Sequence, residues 1–130
     1  EAAKKLVRLI QEEQSRPLVI VISAMGNTTQ YLEKIFQQKI DEQAYDTAIQ
    51  HLYQFHQTMI TSLLSSTRQE TAQILTQWRE QLVKILKGST AGVPLDKLYS
   101  SIVASGELLS SELIYHYLQE QHVVCAWLDA

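Results

Sequence analysis

Apolar residues recur at helical spacing from the first positions of the chain: Ala3, Leu6, Val7 and Ile10 form a stripe from which Lys4, Lys5, Arg8, Glu12 and Glu13 stand mostly apart. This pattern predicts an amphipathic helix over residues 1–14. Arg16-Pro17 ends it, because proline cannot continue the hydrogen-bond ladder and pushes its predecessor toward extended geometry. Residues 18–23, Leu-Val-Ile-Val-Ile-Ser, then run without alternation and are rich in β-branched side chains, the pattern of a strand covered on both faces of a parallel sheet. A buried central strand is predicted there. Residues 24–29 hold Gly26 and Asn27 and predict a turn, and helical spacing resumes over residues 31–40 through Leu32, Ile35 and Phe36.

Two longer helices follow. Over residues 42–64 one stripe carries Tyr45, Ala48, Ile49, Leu52, Phe55, His56, Met59, Ile60 and Leu63. After Ser65-Ser66-Thr67, a second helix has Leu75, Trp78, Leu82, Val83 and Leu86 on one face, and Gly88 stops it. Thr67 and Glu70 have the spacing of a capping box. The pair predicts an antiparallel hairpin. Residues 89–94 predict a loop, 95–103 a short helix, 106–121 a further helix carrying Leu109, Leu113 and Tyr117, and 123–128 a second strand. Two strands separated by helices predict a right-handed α/β crossover. Two strands cannot cover so many amphipathic helices, so the expectation is a single partial α/β domain over residues 1–130, mostly helical, its remaining strands lying outside this sequence.

Composition narrows the function. Of 130 residues, 45% are hydrophobic and 19% charged, with a mean hydropathy of -0.12, which fits a soluble folded domain. A net charge of -3, with Lys and Arg scattered, offers no attraction for phosphate backbones, so neither nucleic acid nor an anionic membrane is expected as a partner. The apolar run from Leu18 is far shorter than the ~20 residues a membrane helix needs. Cys125 stands alone, able to form neither an intrachain disulfide nor a zinc site by itself, and a reducing cytoplasm is expected. The chain opens on Glu1 already in helical pattern, and a piece of a longer protein is expected. His51 and His56, five apart, lack the spacing of a helical metal pair; His116 and His122 read as surface or boundary residues, and Trp78 and Trp127 as core anchors.

Two stretches could carry chemistry. The first is Val19-Ile20-Val21-Ile22-Ser23-Ala24-Met25-Gly26-Asn27-Thr28-Thr29, a strand emptying into a small-residue loop and then a helix. A helix N-terminus offers unpaired N–H groups to an anion, and the hydroxyls of Ser23, Thr28 and Thr29 can hydrogen-bond a carboxylate or phosphate; equally, Asn27, Thr28 or Thr29 can simply cap the helix. The second is Ile102-Val103-Ala104-Ser105-Gly106-Glu107-Leu108-Leu109-Ser110-Ser111. It places Glu107 in the predicted first turn of a helix, where the helix dipole favours a carboxylate by about 0.3–1 kcal/mol whether or not it binds anything.

Taken in order, and followed by Ala126-Trp127-Leu128-Asp129-Ala130, these stretches resemble the aspartokinase family of amino-acid kinases. In that family a V-S-A-M-G-x-x-T loop precedes a helical excursion, an S-x-G-E-x-L-S segment and a strand ending in L-D-A. The resemblance covers the whole chain, in register with the first half of the family's catalytic domain. It implies a fragment of a three-layer αβα fold, with two buried parallel-type strands here, and transfer of the ATP γ-phosphoryl group to the β-carboxylate of L-aspartate. It also implies that Ser23 and Thr29 match substrate-contacting hydroxyls and that Glu107 matches the glutamate that reads the aspartate α-amino group. Asn27 departs from a commoner Gly, and Ser105 stands where an aromatic residue is frequent. The family's K-F-G-G-T strand and its nucleotide-binding half are not in this sequence. ATP and Mg2+ are therefore expected to serve the parent enzyme, with neither bound to these 130 residues alone, and the parent is expected to be a homo-oligomer. The rival from another class is a helical interaction module in which the hairpin over residues 42–87 binds a partner protein.

Overall fold

The computed structural model describes residues 1–13 and 15–129, which form five helices: α1 (Ala2–Glu12), α2 (Thr28–Ile40), α3 (Asp46–Leu63), α4 (Arg68–Lys87) and α5 (Leu95–Glu120). Helices α2 to α5 close a ring in which each packs on the next and α5 returns to α2, while α1 lies against α5. Cross-contacts set the directions. Tyr31 stacks on His51 and Thr28 meets His56, so α2 and α3 run antiparallel. Tyr53 faces Thr76 and Arg79 across α3 and α4; Trp78 reaches Ser105 while Thr67 reaches Glu120 across α4 and α5. Tyr99 meets Glu33 while Gly106 meets Thr28 and Leu32, which makes α5 and α2 antiparallel as well. The result is an up-down four-helix bundle joined by short connections.

The periodic stripes explain the bundle. Leu32 and Ile35 of α2, Leu52 of α3, Leu75, Leu82 and Leu86 of α4, and Ile102 and Leu109 of α5 are fully buried. The predicted hairpin forms as α3 and α4, with Trp78 buried in the core. Helix α1 buries Val7 and keeps Lys4, Lys5 and Arg8 in water; residue 14, the end of the predicted first helix, lies outside the described residues.

Four expectations are corrected. First, the fold is all-helical among the described residues, and no strand forms at 18–23 or 123–128, so the α/β, three-layer assignment is overturned. Both segments are extended, but among the described residues no backbone hydrogen bond joins residues 18–22 to another segment, and the 123–128 segment makes one, from Val123 N–H to the Leu118 carbonyl. Their side chains alternate: Ile22, Val123 and Cys125 pack on the helices, whereas Val19, Val21, Val124 and Leu128 face water. A continuous apolar run had implied cover on both faces; helices supply it on one.

Second, residues 95–121 form one helix to Glu120, not two. Gly106, which suggested a boundary, lies inside it because a Cβ there would sit 2.7 Å from Leu32 Cδ1 and 2.8 Å from Thr28 Cγ2. The glycine lets α2 approach. Third, the Thr67–Glu70 capping box does not form; the Thr67 N–H and hydroxyl both donate to Glu120, at 2.6 and 2.8 Å. Fourth, His116 is buried rather than at the surface.

Candidate functional site

The two singled-out stretches meet at one level of the bundle. Helix α2 begins at Thr28, three residues earlier than its apolar spacing predicts, so Thr29 lies in its first turn. Just before it the chain turns at Gly26, whose φ of +55° and 2.8 Å approach of a would-be Cβ to Phe55 Cζ leave room for no other side chain without strain. The loop is then fixed from three helices. The Met25 N–H donates to Ser110 Oγ of α5 at 2.9 Å, across 85 residues of sequence. Thr28 Oγ1 donates to the Met25 carbonyl at 2.6 Å and lies 3.4 Å from His56 Nε2 of α3. Thr28 also packs against Gly106 of α5.

Ser23, Thr29 and Glu107 are placed as follows. Ser23 is exposed in the extended segment that leads into the loop, Thr29 is half-buried, and Glu107 is exposed on α5 directly after Gly106. Thr29 and Glu107 thus follow, each by one residue, Thr28 and Gly106, one of the places at which α2 and α5 touch. Among the described residues no hydrogen bond joins the three to one another. Glu107 is not in a first helical turn but a dozen residues into α5, so the helix dipole does not explain it.

The roles of three groups were not read from the motifs, although Ser110 lies within the second stretch. Ser110 and His56 are both fully buried polar residues. Each sits on the apolar stripe of its own helix, His56 four residues after Leu52 and Ser110 four after Gly106, and a polar residue on a buried stripe was the signal available. Burial holds the His56 imidazole below its ordinary value, partly opposed by its Nδ1 contact of 2.9 Å with the Leu52 carbonyl. The third is Glu120 at the far end of α5. Desolvation pushes its carboxyl up, but the backbone N–H groups of Thr67 and Ser65 and the hydroxyls of Thr67 and Ser66 outweigh this and take it down to about 2. Adjacent to Ser110, Ser111 Oγ accepts from Trp127 Nε1 at 3.0 Å, so neighbouring serines of α5 fasten both extended segments. Trp127 is half-buried, and Ala130, the last residue of the L-D-A resemblance, lies outside the described residues. Cys125 is half-buried, and desolvation raises its thiol.

The site is therefore a glycine-containing loop braced on a four-helix bundle, with hydroxyls and one carboxylate at its surface. Comparison with known proteins adds one distant relative. The chain is 22% identical over 135 residues to the bifunctional aspartokinase/homoserine dehydrogenase, chloroplastic, of Daucus carota, an alignment that takes in 99% of this chain and 14% of that protein. The similarity relates the chain, distantly, to an aspartokinase-containing enzyme. No family profile and no solved structure matches it. No helix among the described residues is long and apolar enough to cross a membrane.

Proposed function

We propose that this chain is the L-aspartate-binding part of an aspartate kinase. The observation that carries this is the meeting of the two stretches, Met25 on Ser110 and Thr28 on Gly106, which sets Thr29 and Glu107 on either side of one helix contact. In the parent enzyme Glu107 accepts a charge-assisted hydrogen bond from the aspartate α-ammonium group, while the hydroxyls of Ser23 and Thr29 donate to its carboxylates. With the amino acid so held, an oxygen of its β-carboxylate attacks the γ-phosphorus of ATP and the bond to the ADP oxygen breaks, giving aspartyl phosphate and ADP. Such a transfer depends on positioning and on charge stabilisation more than on covalent chemistry by the protein. ATP supplies the phosphoryl group. Among the described residues no group of three or more Asp, Glu, His or Cys side chains is placed to hold a metal ion. We place the nucleotide and its metal ion on other parts of the parent, which acts as a cytoplasmic homo-oligomer.

The test is Glu107→Gln in the complete polypeptide that carries this chain. Loss of a charge-assisted hydrogen bond worth about 1.5–3 kcal/mol lowers kcat/KM for aspartate by roughly 10- to 150-fold while the KM for ATP stays unchanged. Aspartate kinetics within about twofold of wild type would remove Glu107 from the site. The interaction-module alternative draws less support, because the stripe a partner would grip on α3 and α4, from Leu52 to Ile60 and from Leu75 to Leu86, is turned into the bundle.

A further inference from the structure

His56 is a fully buried titratable group that the proposed chemistry does not use, and its hydrogen bonds do not add up in the neutral state. Four groups stand in a row: the Leu52 carbonyl, the His56 ring, the Thr28 hydroxyl and the Met25 carbonyl, separated by 2.9, 3.4 and 2.6 Å. A neutral imidazole brings one hydrogen and the hydroxyl another, two hydrogens for three gaps. The widest gap, 3.4 Å, is the one left without a hydrogen when Nδ1–H donates to Leu52 and Oγ1–H to Met25; there two lone pairs face each other. An imidazolium brings the third hydrogen. Nε2–H then donates to Thr28 Oγ1, whose own hydrogen remains on the Met25 carbonyl, and the row becomes a continuous donor chain.

We infer that His56 is a proton-sensitive positioning residue for the Met25–Thr29 turn: taking up a proton closes the His56–Thr28 gap, draws the start of α2 toward α3 and away from Gly106, and weakens the hold of the loop on its ligand. The ligand part of this inference rests on the aspartate site proposed above; the coupling of His56 to the turn does not. The environment makes His56 a sensor with few competitors. Thr28 faces it from α2, Phe55 and the Leu52 carbonyl from α3 itself, and Trp78 from α4, and none of them carries a charge. Helix α5 reaches this cluster through the Ser105 carbonyl, which accepts from Trp78 Nε1 at 3.1 Å. Burial among these neutral groups opposes the charge, so the ring titrates below its ordinary 6.5.

The experiment is a pH titration of the isotopically labelled chain by NMR, following the His56 ring nitrogens together with the amides of Met25, Thr28 and Thr29. The expected result is a neutral ring protonated at Nδ1 near neutral pH, and one midpoint below 6.5 shared by ring and turn amides. Thr28→Val, which keeps the shape and removes the middle hydroxyl, leaves the ring titrating but silences the turn; His56→Gln abolishes the transition in both. The apparent dissociation constant for L-aspartate rises about fivefold across the same midpoint, the low end of measured coupling between sites. Turn amides that stay flat while the ring titrates, or a ring that stays neutral until the whole chain unfolds, overturn the inference. Should aspartate not bind at any pH while ring and turn titrate together, the substrate assignment falls and the proton coupling stands.

Discussion

The two extended segments that flank the bundle of α2 to α5 are more apolar in sequence than its helices, yet only the bundle satisfies itself. In the bundle every apolar stripe meets another, and the backbone is hydrogen-bonded within each helix. The segments 18–22 and 123–128 lay one face on the helices and leave the other, with nearly all of their backbone donors and acceptors, without a partner among the described residues. Val21 is 88% exposed and Val124 fully exposed, whereas Leu75 of the bundle is 1% exposed. The difference teaches where stability and where unsatisfied surface reside: helices α2 to α5 hold the fold, and the flanks are tied to it by a few contacts, among them Ser110 to Met25 just past the first, and Ser111 to Trp127 and Leu118 to Val123 in the second.

The sharpest way to break that comparison is to make the same kind of truncation on both sides of it. Leu75→Ala opens a cavity in the bundle and costs about 2–5 kcal/mol, while Val124→Ala changes stability by less than about 0.5 kcal/mol. Urea denaturation of the two variants measures both, and equal losses would mean that the flank is packed as tightly as the core.

A smaller loss follows from Gly106→Ala. Overpacking against Leu32 and Thr28 costs about 1–3 kcal/mol, and the better helix propensity of alanine returns at most about 1 kcal/mol, leaving a net destabilisation. The amides of Met25 and Thr29 shift in the same variant, because α2 must back away from α5. A more stable Gly106→Ala protein would show that the approach of the two helices is not limited by this residue.

Glu120→Gln weakens the tie between the end of α5 and the start of α4 by about 1 kcal/mol at neutral pH. The sign follows from the carboxyl lying below its ordinary 4.5, at about 2, in the folded chain. Its contribution is complete above 4.5 and fades as the pH falls toward 2, so the two proteins converge in acid. Thermal melts across that range check it; a difference that persists at the acid end would point to something other than the carboxylate.

The smallest effect on stability, and the clearest on association, comes from the flanks. Exposed apolar extended segments with unpaired backbone invite pairing between molecules. The chain is therefore expected to form dimers or larger species in light scattering, and a Val21→Lys, Val124→Lys double variant to reduce them without lowering the melting temperature. A clean wild-type monomer at high concentration would contradict this.

Helices were legible because a stripe such as Leu75, Trp78, Leu82, Leu86 has only one economical burial, against similar stripes. The strands were not, because a run such as Leu18 to Ile22 reports how apolar a segment is and not whether a neighbouring strand exists to hydrogen-bond with it. Gly106 misled for a related reason: a glycine within a helical pattern marks either an end or a close approach, and only the position of Leu32 and Thr28 distinguishes them. At the site, the stretches containing Ser23, Thr29 and Glu107 were legible as motifs, and the contact between them was not. Ser110, which makes that contact with Met25, and His56, which meets Thr28 from α3, are polar members of apolar stripes, and Glu120 was invisible because its partners Ser65, Ser66 and Thr67 are more than fifty residues away.

The central claim, that the loop before α2 and the middle of α5 together hold L-aspartate, is tested most directly by titrating L-aspartate into the labelled chain and following its backbone amides. The account predicts chemical-shift changes concentrated at residues 23–29 and 105–110, saturating with a single dissociation constant and much reduced in Glu107→Gln. Changes that are absent at millimolar aspartate, that fall elsewhere on the bundle, or that are unaffected by Glu107→Gln would contradict it.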